Sequence, residues 1–599
     1  VRWTLKAADE SLLSRLVAEA DLDPLLARLL AVRGVRDPED AARFLHPSLA
    51  HLNSPYLMLG MKTAVERLQA AIERKEKVLI YGDYDVDGTT AVVILKTAIE
   101  LCGGVADFHV PHRIREGYGM KDEVIERAAA GGVRLIISVD TGIRAFAAAE
   151  TARRLGVDLI VTDHHLPEVG QGVPGALAVL NPNQPGCGYP CKELCGAGVA
   201  FKIVQALLEE SGRASLLLSF LKMVAIATVA DAVDLVGENR VIARLGLDGL
   251  RHAVNPGLKA LIAVSALDSG QAINSGDVAF RLAPRINAAG RMDVAQDVVE
   301  LFSTRDEARA RELAEHLDRL NAERQAEEQR IMAEIHERLD SDAALRQRYC
   351  MVIDGEGWHR GVIGICATRV MERTGRPALV VAREGEEAHG SGRSIDAFHL
   401  LDALESCAGL FTRFGGHAHA AGFALPSERL PELCEALDRY ARSRLTPADF
   451  EQLLAVDAEL GLEQVTPQLH AALEQLRPFG MGNPEPVFFA RGVRIGLPPK
   501  LLKEKHLKLR VVTETPPPQH ATNGRAGDPG PGNNARPQFC AFDAMGWRMV
   551  ERTEKDPLVA GDVLDIAFTV EKNSNPEFGG IRLSLRDYTM AAKAAVPSA

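Results

Sequence analysis

The chain has 599 residues, 46% of them hydrophobic and 25% charged, an ordinary globular composition that excludes a fibrous, disordered or disulfide-stapled protein. Lys and Arg number 69 against 81 Asp and Glu, a net charge of −12, so any contact with nucleic acid must rest on local basic clusters. Nine scattered Cys, no signal peptide and no apolar run of membrane-spanning length point to a cytoplasmic, reducing compartment with free thiols. Cys187, Cys191 and Cys195 form one cluster, but without a second matching pair their spacing is a poor zinc pattern.

Residues 1–45 read as a helical lead-in, with helices over 9–30 and 37–44. Strands and helices then alternate from Met61 to about Leu250, which predicts βαβ units and a parallel sheet. Three apolar runs inside this region stop on acids or histidines. The first, Val78-Leu79-Ile80-Tyr81, leads to Asp83, Asp85 and Asp87, which share one side of an extended chain. Gly88 then permits a sharp turn into a helix ending at Leu101. The second, Leu135 to Val139, ends on Asp140, and the third, Leu159 to Thr162, ends on Asp163-His164-His165. A fourth segment, the apolar helix Ala225 to Ala230, ends on Asp231.

Ligands bind at the carboxyl edge of a parallel sheet. Carboxylates and imidazoles gathered there repel one another unless cations sit between them. Oxygen-rich ligands with one or two His favour Mn or Mg over zinc. Two such ions sharing a carboxylate hydrolyse phosphate esters, and the central strand places Asp140 as the shared ligand.

Further along, 306–339 is a long charged helical run with a narrow stripe of Leu313, His316, Leu317 and Leu320, as expected of a helix bridging two domains. From Cys350 to about Leu445 a smaller α/β unit follows. In it, Trp358-His359-Arg360-Gly361 at a helix start and Gly390-Ser391-Gly392-Arg393-Ser394 supply the helix N-terminus, Arg and Ser of a phosphate seat. Beyond about Ala455 five short alternating strands predict an OB-type barrel, with a disordered Pro/Gly/Asn-rich insertion over 513–538. The stretch Arg491 to Arg510 carries seven Lys/Arg and one Glu, a local basic patch. Arg113, Arg115 and Tyr118 form a second strip, suited to stacking on unpaired bases.

The four acid-tipped segments resemble the four motifs of the DHH phosphoesterase superfamily, whose name matches Asp163-His164-His165. Gly415-Gly416-His417-Ala418-His419-Ala420-Ala421-Gly422 resembles the end of the companion DHHA1 domain. Asn287-Ala288-Ala289-Gly290-Arg291-Met292 and Pro478-Phe479-Gly480-Met481-Gly482-Asn483-Pro484 resemble segments of the bacterial RecJ family of single-strand exonucleases. The resemblance covers about 45–590 and implies a DHH domain over 46–300, a connecting helix over 301–345, a DHHA1 domain over 346–450 and an OB domain over 455–590.

The resemblance also implies catalytic roles for Asp85, Asp87, Asp140, His164, His165 and Asp231. One Mn or Mg ion would be held by Asp85 with Asp140, the other by Asp87, Asp140, His164 and Asp231. Tyr81 stands where the family's pyrophosphatases have a His ligand, so Asp83 either completes the first shell or leaves it weaker. His165 would face the scissile phosphate and Asp163 would orient the His pair. Arg393 and His417, with His359, Ser394, Gly415 and Gly416, would contact substrate phosphate, and Arg281 and Arg285 would line the channel or hold the 5′ end. The implied activity is 5′-to-3′ hydrolysis of single-stranded DNA to 5′-mononucleotides, in recombination and repair, by a monomer. Single-stranded DNA is the implied partner, with a single-strand-binding protein and a RecQ-type helicase as candidate protein partners and no membrane. The alternatives are a non-catalytic single-strand binder and an oligoribonuclease or nucleotide phosphatase.

Overall fold

The strands Lys77–Tyr81, Leu135–Val139 and Asp158–Thr162 lie side by side in a computed structural model that describes residues 1–113, 115–117, 119–168, 170–267, 272–292, 295–515, 538–573 and 580–591. With Val105–His109 on one flank and Ala178–Leu180 on the other they make a five-stranded, all-parallel sheet. Helices cover both faces, which is why the strands read as unbroken apolar runs. Alternate residues serve opposite cores: Val78, Ile80, Leu135 and Ile137 pack on one face, Leu79, Tyr81, Ile136 and Val161 on the other.

This sheet belongs to a compact unit formed by Pro47–Glu451 and Gly480–Gly482. Its helix Val86–Leu101 is buried along most of its length, packed against Gly196–Glu210 and Leu217–Ala230, so it is apolar all round and not amphipathic. A buried ion pair ties the helical layer together. Lys202 Nζ donates to Glu238 Oε1 at 2.6 Å, and Glu238 also accepts from Tyr189 Oη at 2.6 Å and from Asn53. Lys202→Met strands that carboxylate, and urea titration should show a loss of about 3–5 kcal/mol. A loss below about 1 kcal/mol would mean that Glu238 is satisfied without its cation.

Helix Glu307–Ser341 is 35 residues long, about 50 Å at 1.5 Å per residue. Leu313, Ala314, Leu317 and Leu320 bury in the core of the parallel sheet, whereas Ile331, Ile335 and Leu339 bury in that of the second α/β domain. Elsewhere the helix is laced with ion pairs, the mostly buried Arg324–Glu328 and the exposed Arg330–Glu334 among them. The second domain holds a mixed sheet in the order Arg413–Gly416, Ala420–Pro426, Glu387–Arg393, Ala378–Glu384, Met351–Glu356.

The other unit comprises Val1–His46, Gln452–Phe479 and Asn483–Ala599. Its strands close a five-stranded barrel: Phe488–Leu502 pairs with His506–Thr515, then come Gln538–Gly546, Ile581–Met590 and Val563–Lys572, which returns to Phe488–Leu502. The expected insertion lies almost wholly outside the described residues, and its flanks meet as the pair Thr515↔Gln538. Two departures from the sequence reading are physical. The first barrel strand runs on through Pro498 and Pro499 because register shifts at 495/497 and 497/500 absorb them. The lead-in is not purely helical: Arg2–Leu5 is a strand pairing in parallel with Leu453–Val456, and Leu16, Leu26 and Leu29 join the barrel's core. Among the described residues no helix is long and apolar enough to cross a membrane, and all nine cysteines are unpaired.

Candidate active site

Strand register brings the acidic ends together. Tyr81 pairs with Ser138 and Val139 with Thr162, so Asp83 to Asp87, Asp140 and Asp163 to His165 all leave the sheet at one edge. Asp85 caps helix Val86–Leu101, accepting from the Gly88 amide at 3.0 Å. A side chain at Gly88 would meet the Asp83 Cα at 2.7 Å, which is why the tight loop needs glycine. Asp87 is buried in the first turn and accepts from the amides of Gly196 at 2.5 Å and Ala197 at 2.7 Å, the N-terminus of the next helix. Asp140 has a left-handed φ of 58°, a strain of about 1 kcal/mol that Asp tolerates better than most residues. Ser138 Oγ tightens this turn by donating to the Thr141 carbonyl at 2.8 Å.

Asp163 organises the histidine pair. Its Oδ1 accepts from the amides of His164 at 2.8 Å and His165 at 3.1 Å and contacts His165 Nδ1 at 2.7 Å, while Oδ2 accepts from the Ile143 amide at 2.9 Å. His164 Nε2 lies 3.3 Å from Asp140 Oδ1 and 3.8 Å from both Asp87 Oδ2 and Asp231 Oδ2. The ligand atoms form three interlocking groups, each within 4.8 Å: Asp83, Asp85, Asp140; Asp87, His164, Asp231; and Asp140, His164, His165. Asp140 and His164 each belong to two groups. Asp83, whose part the sequence left open, sits with Asp85 and Asp140.

This donor set fits hard divalent cations. The Oδ1 atoms of Asp83 and Asp140 are buried and accept no hydrogen bond among the described residues. Burial, followed by the charges of neighbouring aspartates, raises the carboxyl groups of Asp83 and Asp140 well above the usual range and pushes Asp231 up to about 9. Burial also raises Asp87. A set of carboxylates that resists ionising alone becomes stable as anions once cations lie between them. His165 differs: burial opposes its charge, but the hydrogen bond and charge of Asp163 push its imidazolium up to about 9. Its side chain is 46% exposed against 15% for His164, so it presents that charge to the open side.

Opposite the acidic edge, the second domain closes a cleft of about 400 Å³ whose near end holds Arg113, Arg291, Arg393 and Ser391. Arg113 lies over the Tyr84 ring at 5.0 Å, Arg291 donates to the Gly361 carbonyl at 2.9 Å, and Arg393 donates to the Gly392 carbonyl at 2.7 Å and to Ser391 Oγ at 3.2 Å. Burial, then Arg113, Arg324 and Arg393, depress the Arg291 guanidinium to about 10, the mark of cations crowded around an anion site. The segment carrying Arg291 is fitted to the acidic loop: Asn287 Oδ1 accepts from the Val86 amide at 3.2 Å, and Gly290 leaves room for the Tyr84 carbonyl.

The other expected contacts scatter. Arg281 is tied to the carbonyls of Ser265 and Ala266 at 2.7 and 2.6 Å, and Arg285 to Asp318 at 2.8 Å, so both guanidinium groups join helices. Ser394 Oγ is buried and donates to the Phe398 carbonyl at 2.6 Å; Ser391 faces the cleft instead. His359 Nδ1 accepts from the Gly361 amide at 3.1 Å. Gly415 does line the cleft, whereas Gly416 and His417 are exposed beside it, and at Gly416, with a φ of 152°, a Cβ would meet the Ala420 carbonyl at 2.4 Å. Arg115 is exposed, and Tyr118 lies outside the described residues. Arg291 and Ser391 are the residues that sequence reasoning quoted within motifs but did not single out.

Residues 77–228 match the N-terminal domain of the DHH family, 347–443 the DHHA1 domain and 456–521 the RecJ OB domain. Fold and site thus define the class, a DHH-family protein that also carries a DHHA1 domain and an OB barrel. Over 510 residues the chain is 38% identical to the single-stranded-DNA-specific exonuclease RecJ of Dickeya dadantii, covering 82% of this chain and 87% of that protein. Against the RecJ of Bacillus subtilis it is 39% identical over 86% of its own length but spans 65% of that relative, under two thirds. The crystal structure of Thermus thermophilus RecJ in complex with Mn2+ superimposes with a TM-score of 0.80 at 28% identity, over 98% of this chain and 79% of that one. The chain belongs to the RecJ family.

Proposed function

We propose that the protein is a metal-dependent exonuclease that removes 5′-mononucleotides from the 5′ end of single-stranded DNA. The observation that carries this reading is the interlocking of three ligand groups through Asp140 and His164, beside a cleft whose Arg113 and Arg291 interact electrostatically with Asp83 and Asp85. Bound at the acidic edge, a pair of Mn2+ or Mg2+ ions supplies Lewis acidity that activates water and offsets phosphate charge. Asp83, Asp85 and Asp140 would hold one ion, and Asp87, His164 and Asp231 the other, with Asp140 within reach of both.

The chain's own groups do the rest. Arg113, Arg291, Arg393 and Ser391 grip the terminal 5′ phosphate, which sets the next phosphodiester over the acidic edge. His165, kept cationic by Asp163, faces the phosphate and balances the charge that develops on its oxygens. Water attacks phosphorus, the bond to O3′ of the terminal nucleotide breaks, and O3′ takes up a proton. The strand left behind carries a new 5′ phosphate. The basic barrel strands grip the remaining polymer.

The test is a length series of 3′-labelled DNA and RNA strands, single and duplex, with Mn2+. Single-stranded DNA should shorten stepwise while 5′-mononucleotides accumulate. A preference for dinucleotides, or digestion from the 3′ end, overturns the reading.

A further inference from the structure

The cleft does not end where the terminal phosphate is held. Strand Glu387–Arg393 turns alternate residues to one face, so Arg393, Ser391 and His389 follow at about 7 Å intervals. Across the sheet Ser391 pairs with Gly422 and Gly422 with Gly415, while His389 pairs with Ala424 and Ala424 with Arg413. Small residues therefore floor the cleft between a near group at Arg393 and a far group at His389 and Arg413. No packing demands them: a Cβ at Gly415 would meet nothing within 4 Å, and one at Gly422 only the Gly390 carbonyl at 3.9 Å. The bare floor leaves room for a ligand to lie against the backbone.

The far group joins a buried histidine, an ion-paired arginine and an arginine without a partner among the described residues. His389 is 8% exposed, and its Nε2 makes no hydrogen bond among the described residues, the nearest charge being Glu387 Oε2 at 3.2 Å. The Arg413 guanidinium lines the cleft and has no hydrogen bond or ion pair among the described residues. Arg360, paired with Glu384, completes the group. Burial and then Arg360 hold the His389 imidazole below its ordinary value, Glu387 and Glu384 oppose them, and Arg413 adds a smaller lowering effect. One terminal phosphate satisfies the near group, and in the far group, where Glu384 and Glu387 stand by Arg360 and His389, it leaves Arg413 without an anion.

We infer that the far end of the cleft receives the outer phosphates of a 5′-di- or triphosphorylated strand, an inference that rests on the 5′-end reading proposed above. Cleavage at the first phosphodiester leaves that end untouched. Water adds to phosphorus, the bond to O3′ breaks, O3′ takes the proton, and the first product is a nucleoside 5′-triphosphate.

The experiment compares two strands of one sequence, with a 5′-monophosphate and a 5′-triphosphate, on wild type and Arg413→Ala. Wild type should degrade both, and mass spectrometry should find a nucleoside triphosphate as the first product of the second strand. Arg413→Ala should lower kcat/KM on the triphosphate strand by about 10-fold or more and leave the monophosphate strand within about 2-fold. Inorganic tripolyphosphate should inhibit wild type more strongly than orthophosphate, and the difference should vanish in the variant. Refusal of triphosphate ends by wild type, or an equal effect of the substitution on both strands, overturns the inference. Failure on the monophosphate strand as well would instead remove the 5′-end reading beneath it.

Discussion

Asp140→Asn is expected to reduce exonuclease activity by about 10³-fold or more, beyond the 10- to 100-fold typical of losing an outer partner of a metal ligand. The amide keeps the shape of the side chain but removes the one carboxylate that two ligand groups share. Stability should move the opposite way. In the metal-free protein Asp140 is a buried carboxylate crowded by Asp83, Asp85 and Asp87, and its carboxyl is raised well above the ordinary value. A raised carboxyl costs folding free energy once pH passes the unfolded-state value, so a neutral isostere gains stability there. In EDTA at neutral pH the variant should melt roughly 2 °C or more above wild type. That gain should shrink as pH falls toward 3.8, where the unfolded carboxylate also protonates. Manganese should raise the wild-type Tm far more than that of the variant. Retained activity, or an equal manganese response, would remove Asp140 from the centre of the site.

The acidic edge was legible because its chemistry is written locally. An apolar run that stops on Asp or His is a strand end, and a parallel sheet brings all such ends to one edge whatever lies between them. The same locality explains what was not legible. Arg281, Arg285 and Arg291 look alike along the chain, but only Arg291 reaches the cleft, because its neighbours Asn287 and Gly290 lock its segment against the acidic loop while carbonyls and Asp318 claim the other two. Ser391 and Ser394 lie three residues apart, but Ser391 faces the arginines from the strand whereas Ser394, just past the strand's end, turns to the Phe398 carbonyl. The strand Arg2–Leu5 finds its partner at Leu453–Val456, a pairing no local pattern announces. Pattern supplied ligand types and the edge where they gather; partner choice among like residues came from packing across hundreds of positions.

Gly196 shows how far that packing reaches into the chemistry. Nothing in Cys195-Gly196-Ala197-Gly198 reads as catalytic, but a Cβ on Gly196 would stand 2.5 Å from the Asp140 Cβ and 2.6 Å from its Oδ1. The Gly196 amide also donates to Asp87. Gly196→Ala must therefore push Asp140, Asp87 or both out of place. Helix propensity favours the substitution by up to about 1 kcal/mol, and overpacking opposes it by about 1–3 kcal/mol, so the protein should fold with a small net loss. Activity should suffer far more, because a displacement near 1 Å at reacting groups costs about 10²-fold. Calorimetry should show weakened manganese binding, and steady-state assays a fall carried by kcat more than by KM, since the arginine-lined cleft proposed to hold the terminal phosphate is untouched. Near-wild-type kcat with an intact fold would mean that the acidic edge tolerates a methyl group at its closest approach. The close fit of helix Gly196–Glu210 against Asp140 would then be incidental to catalysis.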